Sequence, residues 1–282
     1  MGLWTENVKS HDVACENLAL ALGKEAGLNS DDGVLSCGCG TGKEIDFFYS
    51  KFNLNHITGI DPNIHIDASS FDVQNVRKVR ASIEDLISDL KFRPNLFNKI
   101  LALDNIYHYD NKTGFFRHCE KILPCGGKLA FTDIIWKTNN GSFFPPWYAK
   151  ILLSAMGVNS KVMTEAEYKN HLANVGFINI SVKRIGKDVY SGWKGYLPEF
   201  LLQHLDYCII VANKPDNKKL SKDLKKKKVA VIGSGMAGCA SAYAVYNASL
   251  CSDIEVTIYE SSDRPGLAGN TRKVGDQLVD GE

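Results

Sequence analysis

The stretch VLSCGCGTG at residues 34–42 decides the fold class of this 282-residue chain. Its first half predicts a short buried strand, and its second half places glycines at every second position, Gly38, Gly40 and Gly42. Backbone amides in such a turn can approach a ligand closely, because side chains there would collide with it. On its own the turn leaves two interpretations open, a ligand cradle or an ordinary tight turn.

The next predicted strand, residues 57–60, favours the ligand cradle. It leads into Asp61, and an acid at the tip of the neighbouring strand suits a ribose diol, which needs two hydrogen-bond acceptors. The alternative is that Asp61, which is followed by Pro62, caps a turn or a helix. Without the glycine turn, the capping interpretation would be the better one.

Around these motifs, apolar stretches rich in β-branched residues alternate with stretches of helical period. This alternation predicts an α/β fold with a mainly parallel sheet covered by helices. The predicted helices are residues 12–26, 44–52, 113–122 and 165–175. The predicted strands are residues 33–37, 57–60, a segment around Val79, and residues 99–103, 128–132, 178–185 and 207–213. The link between the last two strands contains little helix, which predicts an antiparallel pair at one edge.

Composition and charge narrow the classes of partner. A formal net charge of +1 gives no field that would attract nucleic acid. No apolar run is long enough to span a bilayer, and no apolar leader is present. The eight cysteines lack metal-ligand spacing, so no metal site is expected, and we interpret them as free thiols. We therefore expect a cytoplasmic protein with a small-molecule partner, and the sequence leaves its oligomeric state open.

The chain changes character after residue 215. Residues 216–228 contain seven lysines and are interpreted as a linker between a first domain, residues 1–215, and a second segment, residues 229–282. In that segment a short apolar strand leads into Gly233, Gly235 and Gly238, and a helix is predicted to follow. This order predicts a pyrophosphate-binding turn, with Glu260 after the next strand positioned for a ribose.

Five motifs carry a resemblance to a known family. VLSCGCGTG, ITGIDPN, ASIEDL, FNKILALDNIYHY and KILPCGGKLAFTDI resemble, in this order, the motif series of class I S-adenosylmethionine-dependent methyltransferases. The resemblance covers about residues 12–214 and is closest to the ubiquinone/menaquinone-type group that acts on small molecules. It implies a Rossmann-like seven-stranded methyltransferase sheet whose last strand is antiparallel.

The resemblance also implies roles for individual residues. Gly38, Gly40 and Gly42 would lie under the methionine part of S-adenosylmethionine, and Asp61 would bind the ribose hydroxyls. Beside the adenine and the methionine part it places Pro62, Asn63, Ser82, Ile83 and Asp104. Two positions depart from the family, which usually carries acids where this chain has Ser36 and Ser82. These departures keep open the alternative that the domain is a non-catalytic binding module.

Methyl transfer to a hydroxyl group needs a proton acceptor. His108, just beyond the fourth strand, is the first candidate, and Asp133 at the end of the fifth strand is the second. The alternative for His108 is structural packing between Tyr107 and Tyr109. An aromatic insertion at residues 134–163 is predicted either to cover the site and shape an apolar acceptor pocket or to form a satellite core.

The C-terminal segment resembles the N-terminal FAD-binding part of flavin amine oxidases. The resemblance rests on VAVIGSGMAG, VTIYES and DRPG, and it adds Arg264 to the predicted cofactor residues. NAD(P) binding is the alternative. The segment is predicted to be a partial dinucleotide-binding βαβ unit of a truncated chain, with an incomplete FAD site and no oxidase activity by itself. The parent protein is accordingly expected to be bifunctional, or else an oxidoreductase with a non-catalytic N-terminal domain.

Overall fold

The computed structural model describes residues 1–6, 8–63, 75–88, 97–138, 147–155, 158, 162–193, 198–216, 227–233, 236–248, 254–259, 271–274 and 277–280. Contacts between Cα atoms divide the chain into two compact units, Met1–Pro215 and Asp216–Glu282. Each unit is described by itself.

The first unit is built on one mixed sheet. Its strands are β1 (Gly33–Cys37), β2 (His56–Ile60), β3 (Val76–Val79), β4 (Lys99–Ala102), β5 (Lys128–Trp136), the two-residue β6 (Met163–Thr164), β7 (Ile178–Arg184) and β8 (Leu205–Asn213). Seven of them follow the order β3, β2, β1, β4, β5, β8, β7, and β6 pairs with β5. Strand β8 is antiparallel to both neighbours, whereas the pairs among β1 to β5 are parallel. The seven-stranded methyltransferase sheet with an antiparallel last strand is thereby confirmed.

Helices cover both faces of this sheet. They are α1 (His11–Ala26), α2 (Lys43–Phe52), α3 (Ile83–Ser88), α4 (Lys112–Ile122), α5 (Trp147–Ala155), α6 (Glu165–Val175), α7 (Gly186–Ser191) and α8 (Glu199–Leu202). One apolar cluster contains Leu18 and Leu22 of α1 with Phe48 of α2. A second cluster contains Phe116 of α4 and Leu172 of α6. Burial of these two layers leaves the loops at the strand ends to form the site.

The ends of α1 illustrate how the sequence sets helix boundaries. The Ser10 side chain accepts a hydrogen bond from the Val13 amide, which caps an otherwise unpaired donor at the first turn. The helix ends at Gly27, whose left-handed backbone (φ 67°) returns its amide to the carbonyl oxygens of Gly23 and Lys24. The predicted start of this helix differs from the observed one by a single residue.

Two expectations about the elements of the first unit are wrong, and two of its helices were not predicted. The predicted strand 128–132 is too short, because β5 continues to Trp136 through nine paired positions with β8. The link between β7 and β8 is not helix-poor, since it contains α7 and α8. Helix α7 is stabilised by burial of Val189 and Tyr190, which local periodicity over six residues does not reveal. Helices α3 and α5 were also not predicted.

The second unit has a βαβ order. Strand β9 (Lys227–Ile232), helix α9 (Met236–Ala248) and strand β10 (Ile254–Tyr259) follow one another, and the two strands pair in parallel. The predicted linker end at residue 228 is wrong, because Lys227 already pairs with Ile254. An antiparallel pair that was not predicted, β11 (Thr271–Val274) with β12 (Gln277–Asp280), completes the described part of this unit.

Two further expectations concern the thiol state of the cysteines and the presence of a membrane-spanning segment. Six cysteines in the described part of the chain are free thiols, Cys15, Cys37, Cys39, Cys119, Cys208 and Cys239. Cys125 is disulfide-bonded, so the expectation that every cysteine is free is wrong for this residue. Among the described residues, no helix has both the length and the apolar character needed to cross a membrane.

Candidate functional site

Four loops at the carboxyl edge of the sheet enclose a first cavity of about 510 Å³. The loops follow β1, β2, β3 and β4, on both sides of the point where the strand order reverses. Ligands of open α/β sheets bind at this point, because the loops on either side diverge there. The lining residues that the sequence predicted are Gly38, Asp61, Pro62, Asn63, Ser82, Ile83 and His108. Seven predicted residues from four separate segments therefore meet in one cavity.

The glycine turn is fixed against the neighbouring strand and loop. Gly38 donates its amide hydrogen to the Ile60 carbonyl oxygen at 2.8 Å. Its backbone is left-handed (φ 72°), and a Cβ atom there would lie 2.3 Å from Nδ2 of Asn105. That Nδ2 donates to the carbonyl oxygens of Cys37 (2.6 Å) and Gly38 (3.0 Å), while Oδ1 of Asn105 is buried without a hydrogen-bond partner among the described residues. The cradle thus excludes a side chain at position 38 and presents a buried acceptor beside it.

Asp61 links the tip of β2 to the glycine turn. Its Oδ2 accepts a hydrogen bond from the Gly40 amide at 3.0 Å, and its Oδ1 accepts one from the Asn63 amide at 2.8 Å. The capping geometry considered for this residue is therefore present. Each carboxylate oxygen retains a further lone pair, so the same side chain can still accept hydrogen bonds from a diol in the cavity.

Ser82 and Ile83 lie at the first turn of α3. The Asp85 amide donates to the Ser82 hydroxyl at 3.2 Å, and the Ser82 amide donates to Asp85 Oδ2 at 2.7 Å. Hydrogen bonds that the Asp85 carboxylate accepts from the Ser82 amide, first, and from the Ser82 side chain hold the pKa of Asp85 below its usual value. Ser82 therefore caps a helix as well as lining the cavity, and the buried Ile83 supplies apolar surface.

A second cavity, of about 470 Å³, contains Asp104 but neither Gly40 nor Gly42 among its described lining residues. Asp104 Oδ1 accepts hydrogen bonds from the hydroxyls of Tyr207 (2.6 Å) and Tyr107 (3.0 Å), and its Oδ2 contacts the Met1 ammonium group. Its backbone is left-handed (φ 57°), a conformation that costs energy for a residue with a Cβ atom. A hydrogen bond from its amide to Thr132 Oγ1, 2.7 Å, helps to hold it.

Ser36 and Glu44 meet beneath the glycine turn. Ser36 is fully buried on β1, and its hydroxyl donates to Oε1 of Glu44, on the first turn of α2. Glu44 is one of the residues that line the second cavity. Burial raises the pKa of Glu44 to about 7, the Ser36 hydrogen bond acts in the opposite direction, and the charge of Asp61 raises it further. A carboxyl group with a pKa of about 7 therefore lies next to Ser36, the position at which the sequence motif has a serine instead of an acid.

His108 is exposed and lines the first cavity from a short 3₁₀ turn, Ile106–His108. Its ring centroid lies 4.4 Å from that of Tyr107, so one side of the imidazole packs against an aromatic ring. Both sequence interpretations, contact with the site and aromatic packing, are compatible with this position. The proton-acceptor role of His108 stays a prediction.

Asp133 lies in the interior and lines neither cavity. The Lys112 ammonium group is 2.6 Å from its Oδ2, and the Tyr168 hydroxyl donates to the same oxygen. All three side chains are buried, and the apolar surroundings and the Asp133 charge raise the pKa of Tyr168 well above its usual value. We correct the assignment of Asp133 as a second proton acceptor, because a carboxylate enclosed in this ion pair cannot reach a substrate in either cavity.

The dinucleotide motif of the second unit is described only in part. Gly233 has a left-handed backbone (φ 93°), and a Cβ atom on Gly238 would lie 1.8 Å from the Gly233 carbonyl oxygen. The third glycine therefore permits close packing of α9 on the strand, as in dinucleotide-binding turns. The predicted cofactor residues Gly235, Glu260 and Arg264 lie outside the described residues.

The predicted aromatic insertion is also described in part. Trp136 is buried at the end of β5, whereas Trp147 on α5 is 76% exposed. Residues 139–146 lie outside the described residues. An apolar cavity of about 440 Å³ is lined by Trp147, Tyr148, Ile151, Leu152 and Phe200. It shares none of these residues with the other two cavities, so a cover over the cofactor site stays a prediction.

Sequence reasoning missed several residues that shape the two cavities. They are Glu44, Asn105, Tyr107, Tyr109 and Tyr207. Asn105 carried a signal, since a polar residue directly follows Asp104 where a strand ends. Tyr207 carried none, because it reaches Asp104 across 103 residues of chain through the pairing of β8 with β5.

Comparisons with known proteins agree with this geometry. The family model described as a methyltransferase domain matches residues 7–182, and that of the NAD(P)-binding Rossmann-like domain matches residues 231–281. Erythromycin 3''-O-methyltransferase of Saccharopolyspora erythraea is 28% identical over 205 residues, which cover 70% of this chain and 67% of that protein.

Solved structures show the same fold at low identity. Phosphoethanolamine N-methyltransferase 2 of Haemonchus contortus, in complex with S-adenosylhomocysteine, is similar with a TM-score of 0.57 and 19% identity, over 71% of this chain. The match spans about half of that protein, 52%. The [4+2]-cyclase SpnF is similar with a TM-score of 0.59 and 17% identity, over 76% of this chain and 87% of the cyclase. The family match over residues 7–182 goes beyond fold likeness and shows that the chain belongs to the S-adenosylmethionine-dependent methyltransferases.

Proposed function

We propose that the first unit transfers a methyl group from S-adenosylmethionine to a hydroxyl group of a small molecule. The observation that carries the proposal is the first cavity, in which Gly38, Asp61 and Ile83 come together from three loops at the switch point. The printed activity of the erythromycin-modifying relative, an O-methyltransferase, favours oxygen as the methyl acceptor.

The residues present fit the cofactor. The two carboxylate oxygens of Asp61 suit the ribose diol, and buried Ile83 suits an adenine face. The unpartnered Oδ1 of Asn105 offers an acceptor to a cofactor donor. Asp104 already contacts an ammonium group, that of Met1, which is the kind of cation that the amino-acid part of the cofactor carries. When bound, S-adenosylmethionine supplies a methyl group that is activated by its positively charged sulfur.

The chain's own residues then have to orient the acceptor and remove a proton. We assign the role of proton acceptor to His108, because this residue is exposed, lines the first cavity, and carries an imidazole that can accept a proton. The acceptor oxygen forms its bond to the methyl carbon while the bond from carbon to sulfur breaks, and the hydroxyl proton passes to the imidazole. Alignment of the reacting atoms and exclusion of water supply most of the remaining rate enhancement.

The acceptor is proposed to be largely apolar. Trp147 and Ile151 on α5 expose apolar surface, and Phe200 on α8 contributes to the same cavity. Helix α5 follows β5 and α8 precedes the antiparallel β8, so both helices lie toward the edge of the sheet that carries the cofactor loops. An aromatic, weakly polar surface at this edge suits a hydrophobic hydroxylated metabolite. A cytoplasmic location would suit such a substrate and stays a prediction.

The test combines binding with product analysis. Calorimetry with S-adenosylhomocysteine measures the cofactor site, and mass spectrometry detects transfer of a labelled methyl group to hydroxylated and aminated acceptors of macrolide size. We expect saturable binding, and a methylated product from the hydroxylated acceptors alone. A folded protein that fails to bind either form of the cofactor would contradict the proposal.

A second candidate function belongs to the second unit. The match to an NAD(P)-binding domain, together with the tight packing of Gly238 on Gly233, favours a dinucleotide-binding segment, for which we propose FAD with NAD(P) as the alternative. In that case the parent activity is a flavin oxidoreductase, and the first unit serves as its binding module. Cofactor binding without methyl transfer to any acceptor would support this second candidate.

A further inference from the structure

We propose that the Glu44 carboxylate, on helix α2, binds the ammonium group of the cofactor's amino-acid part. Glu44 would thus provide the negative charge that the uncharged Ser36 on strand β1 lacks. The inference rests on the proposed function, since it assigns one contact within the same cofactor site. It replaces the interpretation of Ser36 as a sign of lost activity: the acid has moved to the next element of the fold.

The contact geometry is the first support. Ser36 is fully buried and donates its hydroxyl hydrogen to Oε1 of Glu44, so the serine orients the carboxylate. Glu44 lies two residues beyond Gly42, within the first turn of α2, where the helix dipole favours a negative charge. Glu44 lines the second cavity together with Cys39 and Thr41 of the glycine turn. The acid is therefore part of the cradle.

The cation held in this cavity is the second support. The Met1 ammonium group contacts Asp104, which lines the same cavity as Glu44. Burial lowers the pKa of that ammonium group, so the contact forms where charge is poorly solvated. Asp104, from the loop after β4, and Glu44, from α2, line the same cavity, so an ammonium group bound in this cavity has acids on two of the lining elements. Charge-assisted hydrogen bonds of this kind are among the stronger ones in proteins.

Among the charged and titratable groups around it, Glu44 is the one whose protonation we expect to change near pH 7. These groups are Cys37 and Cys39 at β1, Asp61 after β2, Lys78 on β3, Asp104 and Tyr109 after β4, Lys43 on α2, Asp12, Cys15 and Glu16 on α1, and the Met1 amine. Burial raises the pKa of Cys39 to about 12 and moves those of Cys37 and Tyr109 upward as well, so these three stay neutral. The Met1 amine titrates closer to the working range and therefore needs a control.

A pH dependence with a defined sign follows. Without ligand, the pKa of Glu44 is about 7, so half of the molecules carry a neutral acid at that pH. A cationic ligand binds the ionised form and lowers this pKa in the complex. Affinity therefore falls as the pH drops below about 7, by up to about tenfold per pH unit, and levels off above it. The cofactor's own amino group stays protonated below neutral pH, so measurements belong between about pH 5.5 and 7.5.

The experiment compares two ligands and three forms of the full chain by calorimetry. S-adenosylhomocysteine carries the ammonium group, whereas 5′-methylthioadenosine lacks the amino-acid part. Glu44→Gln keeps the volume and an acceptor for Ser36 but removes the charge. Asp46→Asn is the matched control, because Asp46 is an exposed acid on the first turn of the same helix, paired with Lys78 rather than facing the cavity.

We expect Glu44→Gln to weaken S-adenosylhomocysteine binding at pH 7.5 by about ten- to a hundredfold and to abolish its pH dependence, with 5′-methylthioadenosine affinity unchanged. Asp46→Asn should behave as the wild-type chain. The Met1 amine persists in Glu44→Gln, so a remaining pH dependence would assign the titration to another group and overturn the proposal. An equal loss for both ligands would also overturn it, since Glu44 would then support only the shape of the turn.

A second variant protects the test against a folding defect and separates it from the proposed function. Ser36→Asp combined with Glu44→Gln returns the acid to the strand, and it should recover at least tenfold of the lost affinity for S-adenosylhomocysteine. Recovery would support the charge requirement, and a folded double variant that stays weak would count against it. If the wild-type chain bound neither ligand, the proposed function itself would fail. If the wild-type chain bound both ligands and Glu44→Gln bound them equally well, only the role of Glu44 would fail.

Discussion

The substitution Gly38→Ala tests whether the glycine turn is a close-packed cradle. Gly38 has φ 72°, and the added Cβ atom would lie 2.3 Å from Nδ2 and 2.9 Å from Cγ of Asn105. The left-handed conformation alone costs an alanine about 1–2 kcal/mol. Asn105 would also have to leave its two hydrogen bonds to the turn, each contributing about 1 kcal/mol. We therefore expect the free energy of unfolding to fall by about 3–4 kcal/mol.

Gly40→Ala provides a control within the same turn. Gly40 is also left-handed (φ 53°), but a Cβ atom there has no neighbour within 4 Å, so only the conformational cost of about 1–2 kcal/mol applies. Urea unfolding of both variants, monitored by tryptophan fluorescence and circular dichroism, measures the difference. A Gly38→Ala variant no less stable than Gly40→Ala would refute the close contact with Asn105, and with it the reason for glycine at position 38.

The remaining predictions concern three side chains and the second unit. Asp61→Ala should weaken S-adenosylmethionine and its demethylated product alike by about 2–3 kcal/mol in calorimetry, and unchanged affinity would remove the ribose assignment. His108→Ala should lower turnover on a hydroxyl acceptor at nearly constant cofactor affinity, whereas a parallel loss of thermal stability would favour aromatic packing. Asp133→Asn should lower the free energy of unfolding by about 3–5 kcal/mol, because the buried Lys112 ammonium group loses its negatively charged partner. Cofactor affinity of the folded fraction should stay unchanged. The second unit should bind FAD too weakly for the purified chain to show stoichiometric flavin absorbance, because Ile232 and Tyr259 at the ends of β9 and β10 are exposed and the apolar surface there is uncovered; a yellow protein would refute this.

The cofactor side of the site was predictable because its signals are local in sequence. Where the backbone is left-handed or crowded, only glycine fits, and Asp61 must follow its strand directly. Both features are therefore visible in a short stretch of sequence. The placement of Gly38 and Asp61 in one cavity then follows from the strand order, which parallel pairing and right-handed crossovers largely determine. The same logic located His108 at the cavity, although not its role.

The residues that hold Asp104 were not predictable, because their contacts depend on register between distant strands. Tyr207 reaches Asp104 only when β8 pairs antiparallel with β5 in one register, and a shift by one residue would turn its side chain to the opposite face. Asp133 was misassigned for the same reason. Its position at a strand end suggested exposure, but β5 continues to Trp136 and the side chain enters a buried ion pair.

Ser36 and Glu44 show why a missing motif residue is weak evidence for lost activity. A motif records which residue type stands at one position, whereas binding depends on whether a charge of the right sign reaches one point in space. In this fold, the end of β1 and the first turn of α2 face the same turn, so an acid can move by eight residues and still serve the cavity. The exchange changes the solvation of the acid, and a pKa near 7 is the consequence. Affinity that depends on pH in the physiological range is therefore what we expect to distinguish this chain from relatives that keep the acid on the strand.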